Sequence, residues 1–401
     1  MMSVPKASRR SRWALPAILV ATVVVAAVTM ASSAAASPPL PPRSPAQLLT
    51  DIATQAGSPT PMSGQLVVSA DLGIPQLPGQ DSPSSILSLL TGSHSINLSY
   101  ADRTHYRLTL PVPLGETDVI RNGSAAWIWQ SSSDSATQLT LPASGGLMYG
   151  AAGQPAAGSP SPSPVNPLTP QQAVQQLLTA IGPSTSLTTS DTTTVAGEDA
   201  YQLVVTPQQS GSLIGSVVIA VDAQHPGVVL SVQVFASGAS TPAWSESFTS
   251  ITFATPDAST FLFTPPQGAT VHTVTPPAAS GQQASPQPAA PGVQVIGKDW
   301  LSVLELPASA VTGLASGGNV AGAVGQAAQS AAAGPGSGPG GGISGADIWS
   351  ALLNSATNVQ GSFGSGQLVR TSLLSMLITN GHVFIGAVDP SVLYSAAAQA
   401  G

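Results

Sequence analysis

INLSY (96–100), YRLTL (106–110), GETDVIRNGSAAWIW (115–129) and TQLTL (137–141) share one rhythm, an apolar side chain at alternate positions. Ile96, Leu98 and Tyr100 fall on one face of their segment, and Tyr106, Leu108 and Leu110 alternate with Arg107 and Thr109. A period of two marks a strand with one buried face. Ile120 leads into Asn122-Gly123, a pair that tolerates positive φ and favours a two-residue hairpin. The returning strand carries Trp127 and Trp129 on one face, which this reading places beside Tyr106 and Leu108. A Ser-rich turn (131–135) then precedes Leu139 and Leu141. Glu116 and Asp118 lie ~7 Å apart on one face of their strand. They read as solubilising charges on an edge strand, not as an acid/base pair.

The same rhythm returns further on. Tyr201, Leu203 and Val205 alternate, then Val217, Ile219 and Val221, and Asp222–Gly227 reads as a turn. Leu230, Val232 and Val234 follow, then Trp244, Glu246 and Phe248, then Ile251 with Phe253, and Phe261 with Phe263. Consecutive strands joined by short turns imply an antiparallel meander. Two segments have helical spacing. Pro45–Ala56 carries Leu48, Leu49 and Ile52 behind a Ser44 cap, and Thr169–Ile181 carries Ala173, Val174, Leu177 and Leu178 behind Thr169-Pro170. The fold class expected is mainly antiparallel β with a few helices, a curved half-barrel sheet wrapping the helices over 44–275. A small α+β module follows at 293–401. It has a strand-like 293–303, a helical 346–357, a hairpin turning at Asn380-Gly381 and a helix from Asp389.

Composition sets the borders. Residues 155–168 are a Pro/Ser linker inside the half-barrel, 276–292 a second linker, and 313–345 an Ala/Gly-rich flexible segment of the C-terminal module. At the N-terminus Lys6, Arg9, Arg10 and Arg12 precede the apolar run Ala14–Met30 and an A-x-A site at Ala34 and Ala36. These are the parts of a secretory signal over 1–36. The run is also nearly long enough to remain as an uncleaved anchor. Either way the chain works outside the cytoplasm, secreted or attached to the cell envelope.

Beyond residue 36 six basic residues face seventeen acidic ones, a formal charge of −11. Nucleic acid is therefore excluded as a partner, since phosphate binding needs basic clusters. Cysteine is absent, which excludes disulfides, thiolate metal sites and a catalytic thiol. Charged residues are 7% of the chain, against ~25% in an average soluble domain. A ligand recognised by apolar contact suits that composition.

In their order, these segments resemble the LolA/RseB-like superfamily of envelope proteins, in particular its actinobacterial LolA-like outer membrane lipoprotein carrier family. The residues that carry the resemblance are the early helix, Gly64–Leu72, the block 115–129 with Thr137–Pro142, and Gly197-x-x-x-Tyr201-x-Leu203. The turn Asp222–Gly227 and the closing Phe261-x-Phe263-x-x-Pro266-x-Gly268-Ala269 complete it. The resemblance implies a closing strand at Phe261–Phe263 and an apolar cavity for acyl chains. It implies an acyl lipid or lipoprotein as ligand, and a membrane transporter or an anti-sigma factor as protein partner. The family's usual helical insert is replaced in part by 155–168.

The residues expected to line that cavity are Leu49, Ile52, Leu98, Tyr106, Leu108 and Trp127, with Trp129, Leu177, Leu178, Tyr201, Leu203 and Phe248. Each is equally well read as ordinary core. No cofactor or metal is called for: His94, His105, His225, His272 and His382 are scattered and make no helical ligand pair. Gly336-x-Gly338-x-x-Gly341 matches a dinucleotide fingerprint only formally, in a Pro/Gly tract with no strand before it. There is no G-x-S-x-G elbow, so an enzyme is not expected. The leading reading is an extracytoplasmic lipid or lipoprotein carrier. The alternatives are an RseB-like sensor of a membrane anti-sigma factor and an adhesive wall protein.

Overall fold

The computed structural model describes residues 40–73, 91–112, 114–141, 182–274, 294–307 and 355–400. The signal segment, the three composition-biased segments and the helix expected at Thr169–Ile181, with Leu177 and Leu178, lie outside them. The chain divides into Met1–Pro41 and Pro42–Gly401, and every element below belongs to the second unit.

Helix α1 (Pro45–Gly57) begins where expected. Ser44 accepts the Gln47 N–H at 3.3 Å while Gln47 accepts the Ser44 N–H at 2.8 Å, a reciprocal capping box with Pro45 in the first turn. Twelve strands follow: β1 (Met62–Asp71), β2 (Thr91–Asp102), β3 (His105–Val112), β4 (Gly115–Asn122), β5 (Ala125–Gln130), β6 (Ser135–Thr140), β7 (Thr185–Val195), β8 (Glu198–Pro207), β9 (Ile214–Asp222), β10 (Val229–Ala236), β11 (Pro242–Thr252) and β12 (Thr270–Val274). They form one sheet in the order β12-β6-β5-β4-β3-β2-β1-β11-β10-β9-β8-β7. Two meanders, β1–β6 and β7–β11, are zipped together by β1 against β11. The sheet is curved and unclosed, with β12 and β7 at its ends, the open architecture expected.

Several details differ from the sequence reading. The β4–β5 turn falls at Gly123-Ser124, one residue later than Asn122-Gly123, because Asn122 pairs with Ala125. Gly123 at φ 64° supplies the positive first position of a II′-type turn. Phe261 and Phe263 are not in a strand: Ala258–Phe261 is a 3-10 turn, and the sheet is completed by β12, which runs parallel to β6. Trp244–Phe248 and Ile251 belong to one strand, β11, bulged opposite Gln65/Leu66. Asp118 is not on an edge. It lies on β4 between β3 and β5 and is completely buried.

The C-terminal residues build a second, six-stranded antiparallel sheet. Its strands are β13 (Gln294–Ile296), β14 (Val303–Pro307), β15 (Thr357–Gly361), β16 (Gly364–Arg370), β17 (Ser375–Thr379) and β18 (His382–Gly386), in the order β13-β14-β18-β17-β16-β15. Helix α2 (Pro390–Ala400) adds Leu393, Ala396 and Ala397 to a core of Val303, Phe363, Leu377, Phe384 and Val388. The strand expected at 293–303 is interrupted by a 3-10 turn at Asp299–Leu301; of the helix expected at 346–357, residues 346–354 lie outside the described residues, and Thr357 opens a strand. The turn at Asn380-Gly381 is as expected, with φ of 49° and 76°.

The two sheets are joined by backbone. Leu213 N–H donates to Ala387 C=O at 2.9 Å, Asp389 N–H to Gly211 C=O at 2.7 Å, and Ser372 N–H to Leu72 C=O at 2.8 Å. The Trp300 indole N–H donates to the Thr185 hydroxyl at 2.7 Å.

Candidate functional site

Residues directly opposite each other in antiparallel strands point to the same side, so the strand register sorts the expected lining residues by face. Leu66 pairs with Ile96 and Phe248, Leu98 with Leu108, Tyr100 with Tyr106, and Leu108 with Val119. On the other meander Val68 pairs with Glu246, Glu246 with Val232, Val232 with Ile219, and Ile219 with Leu203, while Tyr201 pairs with Val221. Leu98, Tyr106, Leu108, Tyr201, Leu203 and Phe248 therefore share one face, the Leu66 face. Leu66, Tyr100, Tyr106, Tyr201, Leu203 and Phe248 are buried. Ile96, Leu98, Leu108, Val119, Ile219 and Val232 are half-buried.

Trp127 and Trp129 are on the other face, contrary to their expected place beside Tyr106 and Leu108. Trp127 pairs with Ile120, which pairs with Arg107, and Trp129 pairs with Asp118, which pairs with Thr109. Val112 pairs with Gly115, leaving a two-residue β3–β4 connection with Leu114 at φ 64°. That length decides which parity of β4 and β5 faces Tyr106, and a one-residue change would invert it. The indoles are covered by the chain itself, with Phe263 at 5.4 Å from Trp127 and 5.9 Å from Trp129, centroid to centroid. Beneath them Asp118 accepts from Arg107 and Thr109, each at 2.5 Å.

Leu49 and Ile52 are half-buried on α1, whose Leu48 is only 1% exposed. The Arg43 guanidinium lies 5.8 Å from the Tyr201 ring centroid and pairs with Asp51; Arg103 donates to the Ala56 carbonyl. These contacts tie the helix to both meanders. Arg121 was not anticipated. It is 1% exposed, on the same face as Tyr106, and its Nε donates to Gly123 C=O at 3.2 Å.

Two groups near the β2–β3 turn have shifted acidities. Burial raises the Tyr100 phenol, with Arg103 pulling the other way. Partial burial would raise Asp102, but hydrogen bonds from the Thr104 hydroxyl and backbone and from His105 outweigh it and hold the carboxyl at about 2. A cavity of about 310 Å³ in the second meander is lined by Gln202, Ser231, Gln233 and Ser247 with Val218, Ala220, Phe248 and the 193–196 segment. Its mainly polar lining does not suit an acyl chain.

No family model and no curated protein matches this chain. Among solved structures it is similar to the MucA/MucB complex of Pseudomonas aeruginosa, with 13% identity over 88% of this chain and 96% of that one, at a TM-score of 0.39. A LolA superfamily protein from Nitrosomonas europaea matches at 8% identity over 55% of this chain and 99% of that one, TM-score 0.21. An uncharacterized conserved protein from Thermus thermophilus matches at 8% identity over 56% and 96%, TM-score 0.30. The neighbours thus include a LolA superfamily protein and MucB. Likenesses this distant carry no function across, and the fold class rests on the strand order itself. Among the described residues no helix is long and apolar enough to cross a membrane.

Proposed function

We propose that the protein is an extracytoplasmic carrier that holds acyl chains of a lipid or lipoprotein against the Leu66 face of the large sheet. The supporting observation is the row of half-buried apolar side chains there, Ile96, Leu98, Leu108, Val119, Ile219 and Val232, on a sheet that does not close. Each buried CH₂ contributes ~0.8 kcal/mol, so ten methylenes give about 8 kcal/mol, the scale of a micromolar complex. No charged group is required, in keeping with a chain that is 7% charged.

The experiment is native mass spectrometry of protein from an exporting host, followed by uptake of added phospholipid and diacylated peptide. Leu108→Glu on the Leu66 face should abolish adducts, while Trp127→Ala on the opposite face should retain them. A clean apo mass with no uptake of either probe would sink the carrier reading.

A second reading, an envelope sensor that binds a membrane anti-sigma factor, is favoured by one feature of the C-terminal sheet. Its edge strand β13 presents Val295 at 65% exposure, a form suited to adding a partner strand. Val295→Lys would weaken such a complex and leave lipid uptake unchanged.

A further inference from the structure

We infer that Glu198, Asp222 and His225 form a binding site for a divalent cation of the zinc class. One ligand atom from each lies within 4.8 Å of the other two. Asp222 ends β9, and its side chain is fully buried. Its Oδ1 accepts the backbone N–H groups of Gln224 at 2.7 Å and His225 at 2.6 Å, which fixes the turn. Its Oδ2 is buried with no hydrogen-bond partner, and the buried His225 Nδ1, 3.3 Å from Asp222 Oδ1, makes no hydrogen bond.

A buried carboxylate oxygen without a partner is costly, and native structures nearly always satisfy it. Here the two unsatisfied atoms come from different side chains and belong to the same cluster. The His225 ring is held in place by stacking on Phe253, with centroids 3.5 Å apart and planes at 23°. Glu198 opens β8 and is half-buried, so its carboxylate can swing inward to complete the set. Carboxylate oxygens and imidazole nitrogen are ligand types that zinc takes at ~2.0–2.2 Å, and a water would complete a tetrahedral shell around these three side chains. Calcium and magnesium prefer all-oxygen shells, so the imidazole selects against them.

The cation would clamp the start of β8 to the β9–β10 turn, whose Gly227 abuts Asp51 of α1. Its role is structural, because three elements that meet at the helix would share one bond network. Sequence spacing hides the site: Asp222 and His225 are three apart across a turn, and Glu198 comes from another hairpin.

The test is calorimetric titration of the EDTA-stripped protein with zinc chloride. One equivalent should bind in the micromolar range or tighter, raise the melting temperature, and resist a thousandfold excess of calcium. Glu198→Gln and His225→Gln should each weaken binding at least tenfold while their melting temperature in EDTA stays near that of the parent. Asp222 is left alone, since its Oδ1 holds the turn. X-ray absorption of the zinc-loaded parent should show a single imidazole among light oxygen ligands. No saturable uptake, unchanged uptake in both variants, or a shell with two or more imidazoles would overturn the assignment.

Discussion

Replacing Gly227 with alanine measures how firmly α1 is seated on the large sheet. Gly227 has φ +85°, and a Cβ built there would lie 2.0 Å from the Asp51 carbonyl oxygen, 2.4 Å from its carbon and 2.8 Å from the Gln55 Cβ. Gly238 is the control, with a similar φ of +77° and nothing within 4 Å of its would-be Cβ. Placing an L residue in the left-handed region costs roughly 1–2 kcal/mol, and for Gly238→Ala that is the whole effect. At Gly227 the helix must also back away until the contact reaches an ordinary 3.4 Å. That shift loosens Leu48, now 1% exposed, whose full burial is worth about 1.5–3 kcal/mol. The expected losses in urea unfolding are therefore about 2.5–5 kcal/mol for Gly227→Ala and about 1–2 for Gly238→Ala, with the denaturant slope unchanged. Equal losses, within ~0.5 kcal/mol, would refute the seating of α1 against the β9–β10 turn.

Tyr100 has a buried hydroxyl with no partner, so Tyr100→Phe should be neutral or stabilising by up to about 1 kcal/mol; a clear loss in urea unfolding would reveal a missed bond. Asp102, held at about 2, should titrate well below the usual ~3.9 when its carboxyl carbon is followed by NMR. Because the folded value is the depressed one, the stability it contributes is present above the unfolded pKa and is lost as pH falls from ~4 toward about 2. Arg107→Ala leaves the fully buried Asp118 carboxylate with Thr109 alone. It should cost about 2–3 kcal/mol in thermal unfolding, less than a wholly buried pair because Arg107 is partly exposed.

Alternation was legible wherever burial imposed it. Strands β2, β3, β8, β9 and β10 each carry three apolar residues at a spacing of two, and such a pattern has one physical solution. Strand β7 escaped notice because TSLTTSDTTTV sits at the sheet end and is exposed over 188–192. Its strand character comes from β-branched threonines paired to β8, not from a buried stripe. The parallel contact of β12 with β6 was equally hidden, since it depends on where the chain returns after Phe263. The docking of the second sheet rests on backbone bonds around Gly211–Leu213, and these leave almost no trace in side-chain pattern.

What no periodicity could supply was the relation between faces of different strands. Tyr106, Leu108, Trp127 and Trp129 are all apolar at alternating positions, and each strand by itself is consistent with a shared cavity wall. Each two-residue turn pairs odd with even positions, so Tyr106 shares its side with Arg121 and Ala126, while Ile120 and Trp127 turn away. The consequence is a division of labour over β3–β6. One face is sealed by Phe261 and Phe263 from the same chain, with Ile120 and Ala136 completely buried beneath the indoles. The other keeps Leu98, Leu108, Ile128 and Leu139 only half-buried. A ligand that competes for the first face must displace covalently tethered aromatic rings at high effective concentration, whereas on the second it adds burial. On the proposed carrier reading, acyl binding falls to the Leu66 face, and the tryptophans serve stability.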